Sequence, residues 1–221
     1  MKKGLTQMVF ILDMSGSMHR LTNDTIGGFN TMIEQQKKEP GEARVTTVLF
    51  DDRYILLHDG LDINEVPKMT TDDYAPLGMT AMLDAVGKTI NSVGQRLAEL
   101  PEEERPEKVM VTIVTDGAEN ASKEYTWENV KKMITHQREK YSWIFTFLGA
   151  NIDTMKVSGD LGIDSRLSKT YIPSEIGTEA VFCATSKSLS FARSIGDVHA
   201  MKCAATMDSL SSILDEVEAV K

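Results

Sequence analysis

Two short apolar runs that stop abruptly at an aspartate constrain this chain more than any other feature. Gln7-Met8-Val9-Phe10-Ile11-Leu12 ends at Asp13, and Lys108-Val109-Met110-Val111-Thr112-Ile113-Val114 ends at Thr115-Asp116-Gly117. Both are rich in β-forming residues and show no polar alternation. Such runs suit strands buried on both faces of a parallel sheet. Parallel strands need crossovers, and helical patterns supply them. Ile26, Phe29 and Ile33 share one face of a helix predicted from Thr22 to about Lys38, which Pro40-Gly41 ends.

The remaining elements follow the same logic. Ala43 to Phe50 and Arg53 to His58 read as strands around the turn Asp51-Asp52, a tight hairpin whose second strand is antiparallel and at an edge. A long helix opens at Thr80 or Ala81 and reaches about Leu100. The charged stretch Pro101 to Pro106 reads as a solvated loop. A helix from Trp127 to Lys140, a strand from Trp143 to Leu148, a short helix from Asp153 to Gly159 and a weak strand from Arg166 to Tyr171 come next. Ser174 caps a helix to Ser194. The expected fold is α/β: a doubly wound, mostly parallel six-stranded sheet with one antiparallel edge strand and helices on both faces. Residues 1–195 read as one domain. Residues 196–221 read as a tail in which Leu210, Ile213, Leu214 and Val217 form a helical stripe between Met207 and Val220. Docking on the domain is expected of it, with service as a handle for a partner as the alternative.

Charge and cysteine usage exclude several functions. Among 221 residues, 24 Lys and Arg face 33 Asp and Glu, a net charge of −9. General nucleic-acid binding and docking on anionic lipid both need a basic surface, so neither is expected. Cys183 and Cys203 lack CxxC spacing and read as reduced thiols. The N-terminal Met1-Lys2-Lys3 is followed by too short an apolar stretch for a signal peptide, and no run approaches the roughly 18 apolar residues of a membrane helix. The expected location is the cytoplasm.

Three loops should meet at one edge of the sheet, because parallel strands point the same way and ligands bind beyond their carboxyl ends. They are Asp13-Met14-Ser15-Gly16-Ser17, Gly78-Met79-Thr80 and Thr115-Asp116-Gly117. Asp13 and Asp116 with Ser15, Ser17 and Thr80 offer two carboxylates and three hydroxyls, with no thiolate and no imidazole. That hard-oxygen set disfavours zinc, copper and iron and suits octahedral Mg²⁺ at about 2.0–2.1 Å, with Mn²⁺ or Ca²⁺ as alternatives. Asp13, Ser15 and Ser17 are two residues apart, so alternate side chains can turn to one point. Gly16, Gly78 and Gly117 let the backbone close around it.

These residues resemble the metal-ion-dependent adhesion site of von Willebrand factor type A domains. Asp13, Ser15 and Ser17 match the Asp-x-Ser-x-Ser motif, Thr80 the isolated threonine and Asp116 the later aspartate. The resemblance spans about Thr6 to Arg193. Ser-Gly-Ser-Met followed by Ile26-Gly27-Gly28-Phe29-Asn30 is most similar to bacterial and phage intracellular members. Met79 stands where many members have glycine. The resemblance implies that Ser15 and Ser17 coordinate directly, while Thr80 and the two aspartates act directly or through water. It also implies that an Asp or Glu of a partner protein completes the shell of a bound Mg²⁺.

Other chemistries fit less well. A phosphatase-like hydrolase using Asp13 would need a second aspartate where Ser15 stands. There is no GxxxxGK[ST], no GxGxxG and no Gly-x-Ser-x-Gly elbow. His19, His58, His136 and His199 are scattered. A metal-free structural or regulatory subunit is the other alternative, so no enzyme activity is expected. Asp51, Asp52, Asp72 and Asp73 read as turn acids, one of which could hold a metal-bound water. Met14, Met18 and Met79, from a total of 13 methionines, suggest a soft rim for a partner, with Gly117 and Glu119 beside them. Asn120 or Ser122 could equally cap a helix.

Overall fold

The structure, a computed structural model, describes residues 1–196, 200 and 203–219. Six strands form one sheet in the order β3-β2-β1-β4-β5-β6. They are β1 (Lys2–Asp13), β2 (Ala43–Phe50), β3 (Tyr54–Asp62), β4 (Pro106–Thr115), β5 (Ile144–Gly149) and β6 (Ser168–Thr170). All neighbouring pairs are parallel except β2 and β3. The edge hairpin and the mostly parallel sheet are as the apolar runs predict.

Among the described residues, six α-helices flank the sheet: α1 (Thr22–Gln36), α2 (Met82–Glu99), α3 (Trp127–Tyr141), α4 (Thr154–Leu161), α5 (Glu175–Ser194) and α6 (Ala204–Glu218). Strand β1 explains why both faces are covered. Every residue from Leu5 to Asp13 is buried. Its side chains alternate, Met8, Phe10 and Leu12 entering the core under α1, α5 and α6, and Val9 and Ile11 the core under α2, α3 and α4. At Gly28 on α1, a Cβ would lie 2.4 Å from Cδ2 of Phe182 on α5, so the missing side chain sets how closely those helices approach.

Two elements differ from expectation. Strand β3 runs on to Asp62, four residues beyond the expected end at His58. Gly60 takes φ +64° at a register shift against β2, so the chain bulges and the ladder resumes. A 3-10 helix, Gly16–Leu21, fills the connection from β1 to α1.

In α6, Leu210, Leu214 and Val217 are fully buried in the core shared with α1 and α5. Arg166–Asp208 at 3.2 Å and Lys187–Glu216 at 2.5 Å flank it, together with the pair Lys169–Asp215. The Glu218 carboxylate accepts from the Thr170 N–H of β6 at 3.1 Å. Val220, expected at the end of that helical stripe, lies outside the described residues, as does His199. Among the described residues no helix is long and apolar enough to cross a membrane.

Candidate metal centre

Backbone hydrogen bonds stitch the three loops together before any side chain is considered. Met14 N–H donates to Phe50 O at 2.6 Å, extending the β1–β2 pairing one residue past Asp13. Met14 O accepts from Leu77 N–H at 3.0 Å, and Gly16 N–H donates to Gly78 O at 3.1 Å. Gly78 has φ +77°, a left-handed conformation that favours glycine, and a Cβ there would also displace the exposed Asp52 carboxylate. Thr80 O accepts from Asn120 N–H at 3.0 Å and Ala121 N–H at 3.2 Å, while Thr80 N–H donates to Asn120 Oδ1 at 2.9 Å. The loop after β1, the segment before α2 and the loop after β4 are therefore one unit.

That unit brings all five predicted ligands together. Asp13 Oδ1 accepts from Ser15 N–H at 2.7 Å, and Asp13 Oδ2 from the Thr115 hydroxyl at 2.5 Å. The Ser15 and Ser17 hydroxyls are 3.1 Å apart, and Ser17 donates to Asp116 Oδ1. Thr80 closes the ring through Gly117. A Cβ at Gly117 would lie 3.1 Å from Thr80 Oγ1, 3.6 Å from Ser17 Oγ and 3.9 Å from Asp13 Oδ2. The missing side chain leaves a small space bordered by three oxygens. Asp13, Ser15, Thr80 and Asp116 are buried, whereas Ser17 is exposed and opens the cluster to solvent.

The electrostatics are unbalanced. Burial pushes the Asp13 carboxyl up to about 6, against the opposing hydrogen bonds from Thr115 and Ser15. Burial also raises Asp116, opposed by the Ser17 hydroxyl and the positive charge of Arg20. Asp116 Oδ2 is buried with no hydrogen-bond partner. A buried acceptor left in this state is costly unless something outside the chain satisfies it. The oxygen-only donors around it would fit a hard cation. Among the described residues no group of three or more His, Cys, Asp and Glu side chains forms a competing metal cluster.

The predicted rim needs correction. Met14 and Met18 are each 1% exposed and lie in the core under α1 and α5. Met14 keeps the strand alternation of Leu12 because its backbone is still paired with β2, and Met18 sits on the inner side of the 3-10 turn. Met79 is 55% exposed beside Thr80, and Gly117 lines the oxygen cluster. Glu119 is turned inward. Its carboxylate accepts from Leu83 N–H at 2.9 Å, Ala121 N–H at 3.0 Å, and Ser122 N–H and hydroxyl at 2.8 Å each. It caps the start of α2, with Ser122 Oγ accepting from Asp84 N–H at 3.1 Å. Asp51 is fully buried against Arg53, and Asp73 accepts from the N–H and hydroxyl of Thr70 at 2.8 Å each. His19 is exposed, and His58 is buried with Nδ1 3.0 Å from the Thr47 hydroxyl.

Two residues support the site in roles that the sequence does not assign, although Thr115 belongs to the Thr115-Asp116-Gly117 loop. Thr115 holds Asp13 from the neighbouring strand. The buried Tyr74 hydroxyl donates to Asp13 O at 2.5 Å from a loop 61 residues away. A lone tyrosine in an otherwise polar stretch was the only signal for it.

No protein-family model matches this chain, and no curated protein sequence matches it. Solved structures do. A von Willebrand factor type A protein from Catenulispora acidiphila matches at TM-score 0.57 and 14% identity, over 82% of this chain and 42% of that one. Proximal thread matrix protein 1 from the mussel byssus, with a zinc-occupied MIDAS motif, matches at TM-score 0.53 and 15% identity, over 97% and 46%. The vWF domain of the type V pili tip protein Mfa5 from Porphyromonas gingivalis matches at TM-score 0.61 and 10% identity, over 89% and 99%. The chain thus spans less than half of the first two structures and nearly all of the third. The architecture is shared even though few residues are, and the fold of this chain is that of von Willebrand factor type A domains.

Proposed function

We propose that this chain is a divalent-metal-dependent protein–protein interaction module and not an enzyme. Asp13, Ser15, Ser17, Thr80 and Asp116 would hold the ion, with Mg²⁺ favoured by the oxygen-only donors and Mn²⁺ or Ca²⁺ as alternatives. The zinc in the byssus protein supports a divalent ion at this position and widens the range of metals to test. When bound, the ion supplies an electrophilic position that a partner's Asp or Glu can occupy in place of water. The chain's own residues pre-position the donors. Thr115 and the Ser15 N–H fix both Asp13 oxygens, Ser17 orients Asp116, and Tyr74 anchors the backbone at Asp13.

The unsatisfied, buried Asp116 Oδ2, together with the space at Gly117 bordered by oxygens of Thr80, Ser17 and Asp13, carries this reading. A phosphatase-like role for Asp13 is disfavoured, because Ser15 stands where the proton donor is needed. Free, exposed Cys183 and Cys203 suit a reducing compartment and support a cytoplasmic location. We assign residues 1–195 as the binding domain and 196–221 as a tail docked through α6. Neither nucleic acid nor membrane is among the partners we propose.

The test is calorimetric titration of the full chain with Mg²⁺ and Mn²⁺, followed by partner capture with and without EDTA. One ion per chain, lost in Asp116→Ala, and capture abolished by EDTA are expected. Capture indifferent to both EDTA and Asp116→Ala sinks the proposal.

A further inference from the structure

Large apolar side chains exposed singly are ordinary on a protein surface, whereas a cluster of them marks a contact site. Among the described residues, eight large hydrophobic side chains are exposed, and five of them stand at the carboxyl edge of the sheet. They are Leu77, Met79, Met155, Ile172 and Ile176, between 46% and 68% exposed. The other three, Met1, Leu56 and Tyr141, lie elsewhere.

The five fall into two groups on either side of the oxygen cluster. Leu77 and Met79 bracket Gly78, whose carbonyl is bonded to Gly16 inside the metal-site loop. Met155 is in the first turn of α4, after β5. Ile172 follows β6, and Ile176 is in the first turn of α5. This second group is tied to the site through Asn151, whose side chain donates to Asp116 O at 3.3 Å, and through Tyr171 N–H, which donates to Gly149 O at 2.9 Å. Between the groups lie Ser17, the exposed ligand, and Arg20, whose charge acts on Asp116. An apolar, polar-cationic, apolar sequence therefore runs along this edge.

We propose that this edge takes an extended segment of a partner protein in which one Asp or Glu is flanked on both sides by aliphatic residues. This rests on the metal-bridged reading above and specifies its ligand. The charge complement is a carboxylate facing Arg20 and the cation that the oxygen cluster would hold. The spacing follows from the sheet. Leu77 and Met79 adjoin the cluster, so one aliphatic residue lies within about two positions of the acid. Strand β6 is two strands beyond β4, about 10 Å at the usual strand separation of roughly 4.8 Å. An extended peptide advances about 3.3 Å per residue, which places the second aliphatic residue about three or four positions away on the other side.

The test is to pan a displayed library of random twelve-residue peptides against the full chain in Mg²⁺ and to elute with EDTA. Enrichment of one acid with aliphatic residues at those two spacings is expected. A consensus peptide then loses about tenfold in affinity on Leu77→Ser with Met79→Ser, and about tenfold on Ile172→Ser with Ile176→Ser. Mn²⁺ binding by electron paramagnetic resonance stays unchanged in both variants, because neither removes a donor. EDTA-eluted acidic peptides with no aliphatic preference, or full affinity in both double variants, overturn the flanking contacts and leave the metal-bridged reading intact. Absence of any EDTA-eluted peptide removes the metal-bridged reading itself, and this proposal with it.

Discussion

Two buried aspartate corners sit side by side at the carboxyl edge of the sheet, and they are built in opposite ways. Asp51 follows β2 and is fully buried. Its carboxylate accepts from the Arg53 N–H at 2.6 Å, from Arg53 Nε at 3.1 Å and from the second guanidinium nitrogen at 2.5 Å. The chain supplies its own cation two residues away, and the pairing raises the Arg53 guanidinium. Asp13 ends β1 and Asp116 follows β4. They are just as deeply placed, yet what faces them directly is hydroxyls and one backbone N–H, and one Asp116 oxygen is left without a partner. The same sheet edge thus holds one acid neutralised within the chain and two that are not. The second corner leaves its carboxylates without a directly bonded cationic side chain among the described residues.

The largest expected effect breaks the comparison at its centre. Asp13→Asn and Asp116→Asn each weaken Mg²⁺ or Mn²⁺ binding by more than about a hundredfold. A direct donor costs more than the 10- to 100-fold typical of supporting residues. Asp51→Asn leaves the metal titration unchanged. Equal losses in all three variants would show that the two corners do not differ in kind.

The next effect is on stability against pH. Burial lifts Asp13 from its ordinary 3.8 to about 6. The folded state then binds its proton more tightly than the unfolded state, so metal-free protein gains stability as pH falls from about 6 to about 4 and loses it as pH rises through that window. The full difference is about 3 kcal/mol, to order of magnitude. Saturating Mg²⁺ requires the ionised form and reverses the slope, with affinity falling below about pH 6. Chemical denaturation of the metal-free and metal-loaded chain at pH 5 and 7 reads both signs. A metal-free slope that survives in Asp13→Asn would assign the effect to another group.

Much of this corner was legible in the sequence because its determinants are local. The buried runs ending at Asp13 and Asp116 fix two neighbouring strand ends, and the two-residue spacing of Asp13, Ser15 and Ser17 puts three donors in one loop. What was misread depends on partners distant in sequence. Met14 points into the core because its N–H is bonded to Phe50, which extends the strand alternation past the apparent stop. Glu119 caps a helix whose bonded N–H lies 36 residues back. Tyr74 reaches Asp13 across 61 residues. The extension of β3 needed Gly60 to act as a bulge at a register shift against β2.

Gly117→Ala probes the space among the oxygens of the second corner. The added methyl would lie 3.1 Å from Thr80 Oγ1 and within 4 Å of Ser17 and Asp13, tight but without severe overlap. Metal affinity should fall about tenfold with the melting temperature little changed, since the methyl occupies space among the donors and removes no contact in the core. Normal affinity would mean that the ion does not use that space.

Tyr74→Phe has the smallest expected effect and tests the support beneath the site. The substitution keeps the buried ring and deletes the hydroxyl that donates to Asp13 O at 2.5 Å. A lost neutral hydrogen bond to a buried carbonyl costs about 1 kcal/mol, up to about 3 if the carbonyl finds no other donor. Asp13 keeps its bonds from Ser15 and Thr115, so its carboxylate stays in place and metal affinity should change by less than about threefold. The matched change at the other corner is Arg53→Met, which strips Asp51 of its guanidinium and should lower stability more, because it leaves a buried charge without its cation. If instead Tyr74→Phe is the more damaging to stability, the corner without an internal cation is held mainly by its backbone anchor, and the charge imbalance at Asp13 and Asp116 matters less to folding than their burial implies.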